Sequence, residues 1–158
     1  MKTLALSVLL CTMLALVRAT SPPVKQLATG CPVGWTRGLY HCFHYVQRRL
    51  NWAAAEKYCQ ALGGNLASVH NYDDQMTIER MILRLTRTYE PAWLGGSNCQ
   101  NDDVWLWSDG SVFSYRFCYK FDNTGGKQHC LQMNYGTNKC WDDLQCSDRL
   151  PFVCAKKL

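Results

Sequence analysis

The chain has 158 residues, 47% of them apolar and only 18% charged, with a formal net charge of +5. That is enough to build one hydrophobic core and too little for two domains. Six Trp, eight Tyr and five Phe argue against a solvated, disordered chain, and so weak a positive balance, with no run of five basic residues, argues against a nucleic-acid binder.

In chain order, residues 4–17 form the one long apolar run, preceded by Lys2 and ending in Val17-Arg18-Ala19. This pattern predicts a secretory signal peptide over residues 1–19, cleaved after Ala19. The run is shorter than the roughly 20 apolar residues a spanning helix needs, and nothing later approaches that length. The expectation is therefore a secreted, extracellular protein with no membrane span. Loss of Lys2, Arg18 and Cys11 leaves nine cysteines and lowers the net charge to about +3. An oxidising compartment turns cysteines into disulfides, and an odd number leaves at least one thiol without an intrachain partner. Residues 20–30, with Pro22-Pro23, read as a flexible leader, and residues 31–158 as one domain.

Asn51 is placed to cap a helix that runs through Trp52, three alanines and Cys59 to a stop at Gly63-Gly64, with Trp52, Ala55, Cys59 and Leu62 on its inner face. A second helix is predicted over 72–85. Asn71 caps it, Asp73 and Asp74 lie in its first turn, and Ile78, Met81, Ile82 and Leu85 face inward. Short strands are expected at 39–46, 66–70, 93–94, 104–107, 131–134 and 152–155. The fold class is α+β, with antiparallel sheet in the second half. Residues 109–129 read as a long loop, and loops of that length in compact domains are usually functional.

Several spaced motifs carry a resemblance. They are Cys31-Pro-x-Gly-Trp35 with Cys42-Phe43, Asn65-Leu-Ala-Ser-Val-His70, Trp93-Leu-Gly-Gly96, Trp105-x-Trp107-Ser-Asp-Gly110, Cys130-Leu-Gln-Met-Asn134 and Cys140-Trp-Asp-Asp143 with Cys146 and Cys154. Together they resemble the C-type lectin-like domains over practically all of residues 31–158. Within that family they are most similar to short secreted fish lectins and type II antifreeze proteins. The resemblance implies the bridges Cys31–Cys42, Cys59–Cys154, Cys130–Cys146 and Cys118–Cys140, each worth about 2 to 4 kcal/mol. In the antifreeze relatives the equivalent of Cys99 bonds a cysteine at the place of His129, so Cys99 is left without that partner. It is either free, in a disulfide-linked dimer or as a buried thiol, or it competes for Cys118 or Cys140.

Sugar-binding members of the family hold Ca²⁺ in the long loop through a Glu-Pro-Asn or Gln-Pro-Asp triplet, a later Glu and an Asn-Asp pair, because Ca²⁺ takes six to eight oxygens. The resemblance puts Phe121-Asp122-Asn123 on the triplet, Gln128 on the Glu and Asp142-Asp143 on the pair. One ligand has become a phenyl ring, and Asp122 replaces a proline that is cis in the family, where a cis non-proline bond costs about 3 kcal/mol. Asn123, Gln128, Asp142 and Asp143 therefore imply a weak or lost Ca²⁺ site and no required cofactor. The bland reading of Asp142-Asp143 is two turn residues between half-cystines.

Independently of the resemblance, aromatic residues alternate through Phe113, Tyr115, Phe117, Tyr119 and Phe121, which puts five rings on one face of an extended strand. The first three are expected to pack on the core. Tyr119 and Phe121, with Lys120 and Arg116, are expected to form an aromatic and basic edge that meets a ligand. His41, His44, His70 and His129 show no metal-ligand spacing, and no nucleophile motif occurs, so no enzyme is expected. The leading expectation is a secreted lectin-type protein that binds glycans or glycosylated surfaces. The alternatives are ice binding and a venom-type, protein-binding subunit of a dimer linked through Cys99.

Overall fold

The computed structural model describes residues 30–118 and 121–158. The signal-peptide and leader expectations for residues 1–29 therefore lie outside the described residues, as do Tyr119 and Lys120. In chain order the elements are β1 (Thr36–Arg37), β2 (His41–Leu50), α1 (Trp52–Ala61), β3 (Asn65–Leu66), α2 (Tyr72–Thr86), β4 (Ala92–Ser97), β5 (Leu106–Trp107), β6 (Cys130–Tyr135), β7 (Cys140–Leu144) and β8 (Leu150–Lys157).

The strands form one mixed sheet in the order β1-β2-β8-β4-β6-β7, with β3 added on β8 and β5 on β4. All pairings are antiparallel except β4 with β8. The sheet thus includes first-half strands and is not confined to the second half. Both helices start at the expected caps. The Asn51 side chain accepts the Ala54 N–H at 2.9 Å and that of Asn71 accepts the Asp74 N–H at 2.8 Å, which satisfies donors the first turn cannot pair internally.

Two inward assignments fail. Leu62 is the exposed C-cap of α1, and Leu85 lies in the last turn of α2 and is 53% exposed. That turn projects past the buried Ile78, Met81 and Ile82, so helical spacing continues beyond the core it faces. Gln75 is buried instead, and its Oε1 accepts the Trp141 indole N–H at 2.8 Å.

The Trp93-Leu-Gly-Gly96 motif has a steric cause. A Cβ on Gly95 would lie 2.6 Å from the Leu66 carbonyl oxygen and 2.8 Å from Ser108 Oγ, and one on Gly96 would lie 2.7 Å from Leu131 Cδ2. Gly95 lets β4 approach the Leu66 backbone, and Gly96 leaves room for the Leu131 and Phe113 side chains. Trp93 and Trp52 close the same region: their indole N–H groups donate to the Leu50 and Leu94 carbonyls at 3.0 and 2.8 Å. The bridges Cys31–Cys42, Cys59–Cys154, Cys118–Cys140 and Cys130–Cys146 all form. Cys99 is the free cysteine among the described residues and it is exposed, so it is not a buried thiol.

Candidate functional site at the long loop

The segment after β5 is not a strand: residues 111–116 pair with no neighbour in the sheet. The alternation is nonetheless real, since Phe113, Tyr115 and Phe117 are half-buried while Val112, Ser114 and Arg116 are exposed. Phe113 lies 4.5 Å from Trp107, Tyr115 lies 5.8 Å from Trp141, and Phe121 lies 4.7 Å from Trp105, measured between ring centres. The rings clamp the loop to the core by apolar burial in place of hydrogen-bonded pairing. Phe121 therefore differs from the expectation of an outward edge, because its ring is packed on Trp105 and half-buried. Arg116 is exposed, with its guanidinium carbon 5.6 Å from the Phe113 ring centre and 5.9 Å from that of Phe121.

The second half of the loop is closed by its own hydrogen bonds. Asp142 and Asp143 are not turn residues; they lie in the middle of β7, opposite Gln132 and Leu131, and both are buried. Asp143 Oδ1 accepts the Asp122 N–H and its Oδ2 accepts the Asn123 N–H, each at 3.0 Å. Gln128 Oε1 accepts the Thr124 N–H at 2.8 Å, and Asn123 Oδ1 accepts the Gln128 N–H at 3.2 Å. Asn123 Nδ2 donates to Asp102 Oδ2 at 3.4 Å, and Asp102 lies 3.5 Å from the His129 ring. Asn123 itself takes a left-handed φ of 41°, a conformation that asparagine tolerates better than most residues.

The structure thus joins Asn123, Gln128 and Asp143 through the loop's backbone N–H groups, while Asp142 is engaged elsewhere, its Oδ2 accepting the Gln132 amide at 3.0 Å. A Ca²⁺ cage needs six to eight oxygens turned toward a common point. Here Phe121 supplies none, the oxygens of Asn123, Gln128 and Asp143 are turned to the loop's own N–H groups and an oxygen of Asp142 to Gln132, so this set does not fit the ion.

Burial pushes the Asp142 carboxyl up to about 6; the nearby Asp143 and Asp122 charges add to the rise, against the opposing Gln132 hydrogen bond. Asp143 is raised as well, chiefly by burial. A carboxyl that holds its proton more tightly folded than unfolded favours the fold as pH falls through the folded value, and weighs against it above that value. Asp142→Asn should therefore be more stable than the parent by about 1 kcal/mol near pH 8, with the gap closing by about pH 4. Urea unfolding at the two pH values, with disulfides intact, measures the difference.

Beside this cluster a groove of about 350 Å³ opens between the loop and the β6–β7 hairpin. Trp141 lies along it, Asp122, Thr137, Asn138 and Asp142 supply polar atoms, and Tyr135 stands at its edge with 51% of its surface exposed. Tyr135, Thr137 and Asn138 were not marked by any sequence pattern. The available signal was Gly136, which turns the hairpin with a φ of 66° and leaves the preceding side chain outside the five buried positions of β6. A larger groove of about 690 Å³, lined by His41, His70, Asp109 and Lys156, shares no residue with it. There the Asp109 carboxylate is already engaged by the Ser68 and Ser111 hydroxyls.

The family profile described as "Lectin C-type domain" matches residues 48–156. This chain belongs to the C-type lectin domain family, and its two helices, mixed sheet and four bridges are that fold. It is 35% identical to the galactose-specific lectin nattectin of Thalassophryne nattereri, over 85% of this chain and 85% of that protein. It is 33% identical to a type-2 ice-structuring protein of Brachyopsis segaliensis, over 97% of this chain and 98% of that one. Among solved structures, herring type II antifreeze protein superposes with a TM-score of 0.75 at 32% identity, covering 81% of this chain and 99% of its own. Among the described residues, no helix is long and apolar enough to cross a membrane.

Proposed function

We propose that this chain is a secreted, non-enzymatic recognition protein that binds glycans or glycosylated surfaces in the groove beside the long loop, without a requirement for Ca²⁺. The observation that carries the reading is the groove's composition. An exposed Tyr135 ring stands next to carboxylate, amide and hydroxyl groups from Asp122, Asp142, Asn138 and Thr137. A pyranose presents an apolar face to an aromatic ring and hydroxyls to donors and acceptors, and a small concave site with a few placed polar groups suits it. Similarity to a galactose-specific lectin supports the same class of ligand. Arg116, exposed in the loop, adds a cationic group suited to acidic sugars.

The test is a glycan array probed with the parent protein and with Tyr135→Ala. The parent should bind a defined glycan set, and the variant should lose about tenfold in affinity, the scale of one aromatic contact. Unchanged binding by Tyr135→Ala would place the ligand elsewhere. Similarity to an ice-structuring protein along 97% of the chain favours a second reading, ice binding. An array without binding, together with a gap between melting and freezing temperatures, would replace the glycan reading with that one.

A further inference from the structure

The Cys130–Cys146 bridge has a third sulfur beside it. Cys99 Sγ lies 3.7 Å from Cys146 Sγ, and the sulfurs of Cys99, Cys130 and Cys146 all lie within 4.8 Å of one another. Backbone pairing holds them there. Ser97 at the end of β4 pairs with Cys130, and the Asn98 N–H donates to the His129 carbonyl at 3.1 Å. The same carbonyl lies 3.9 Å from Cys99 Sγ.

We propose that these three cysteines form a thiol–disulfide exchange site, in which the bridge moves from Cys130–Cys146 to Cys99–Cys146 and the free thiol moves from an exposed to a buried position. The Cys99 thiolate attacks Cys146 Sγ, the sulfur 3.7 Å away. The Cys99–Cys146 bond forms as the Cys130–Cys146 bond breaks, and Cys130 leaves as a thiolate that takes up a proton. One disulfide is exchanged for another, so no oxidant or reductant is consumed. Attack requires the three sulfurs in line; as placed they form a bent set, so the exposed Cys99 side chain must shift before it attacks.

One feature favours the second isomer. Cys130 is fully buried beside Cys59, Leu66 and Trp93, an environment in which a free thiol packs as a small hydrophobe. The consequence is chemical: with the bridge at Cys130 the thiol is open to a second copy of the chain or to a small disulfide, and with the bridge at Cys99 it is shielded.

The experiment uses the secreted protein, held at mildly alkaline pH with a trace of reduced glutathione and quenched in acid. It is then blocked with a maleimide in denaturant near neutral pH and mapped by digestion and mass spectrometry. The expected result is a population with maleimide on Cys130 and a Cys99–Cys146 linkage, several-fold larger after incubation than before and missing in Cys99→Ser. Cys130→Ser, folded in a buffer of oxidised and reduced glutathione in which the glutathione disulfide takes up the two electrons, should close the Cys99–Cys146 bridge and carry no free thiol, with its folding checked by circular dichroism. The proposal is overturned if the parent shows only maleimide on Cys99 with Cys130–Cys146 intact. It is equally overturned by a Cys99–Cys130 bridge with maleimide on Cys146, or by a folded Cys130→Ser protein with two free thiols.

Discussion

Replacing Glu56 with alanine lowers the unfolding free energy by about 3 kcal/mol, a large loss for a polar side chain. Glu56 lies on α1 and is 8% exposed. Its Oε1 accepts the amides of Gln60 and Asn65 at 2.8 and 2.5 Å, and its Oε2 accepts the Leu66 N–H at 2.8 Å and the Ser108 hydroxyl at 2.9 Å. One carboxylate therefore ties α1 to β3 and to the segment after β5. Its removal leaves the Leu66 N–H without an acceptor where water does not reach, and each such buried donor costs about 1 to 3 kcal/mol. Glu56→Gln keeps one oxygen and should lose about half as much. Urea unfolding at neutral pH with bridges intact gives the values; a loss below about 1 kcal/mol for the alanine variant would show that these bonds are replaced by water.

Asp143→Ala should leave the domain folded and remove its ligand binding. The carboxylate is 1% exposed, and its two oxygens hold the Asp122 and Asn123 N–H groups on the groove side of the loop. The β7 backbone stays paired with β6 whatever side chain stands at this position, so the sheet survives the change. The loop has no such insurance. With both N–H groups released, water is their nearest acceptor, and the left-handed Asn123 loses the contact that holds it. Global stability should fall by about 1 to 2 kcal/mol. Amide exchange at Asp122, Asn123 and Thr124 should speed up by more than tenfold, and glycan affinity should fall by at least about tenfold. Asp143→Asn, which retains one acceptor, should fall between the two. If exchange at those amides is unchanged in Asp143→Ala, the loop is held by its aromatic clamp alone.

Much of the fold could be read from residues whose chemistry has few alternatives. Asn51 and Asn71 cap helices because their side chains reach the N–H three residues on, and the half-cystines fall into four bridges that the family resemblance implies. The failures share a cause, which is that burial is decided by partners distant in sequence. Cys140-Trp-Asp-Asp143 resembles a turn because two carboxylates stand side by side. It is a strand because its backbone pairs with β6, and its carboxylates can be buried there because the loop's N–H groups and the Gln132 amide come to them from elsewhere. Leu85 keeps perfect helical spacing, yet the core ends one turn before it. Phe121 completes the alternation begun at Phe113, but the ring it meets belongs to Trp105, sixteen positions earlier in the chain. Glu56 gives no sign of its role in sequence, since an isolated Glu in an alanine-rich helix is indistinguishable from a solvated one.

The candidate site followed the same rule. Of the positions matched to a Ca²⁺ loop, Asp122, Asn123, Gln128 and Asp143 are joined by hydrogen bonds, and the change in their chemistry was visible as Phe121 and Asp122. What could not be read was that the remaining oxygens are used to hold the loop shut, or that Tyr135 would stand beside them. A loop closed by its own donors should not depend on an ion for its shape. The direct measurement is the affinity for a glycan identified on the array, determined once with millimolar Ca²⁺ and once with excess chelator. Equal affinity in the two conditions is the predicted result; binding that appears with Ca²⁺ and vanishes with chelator would contradict it.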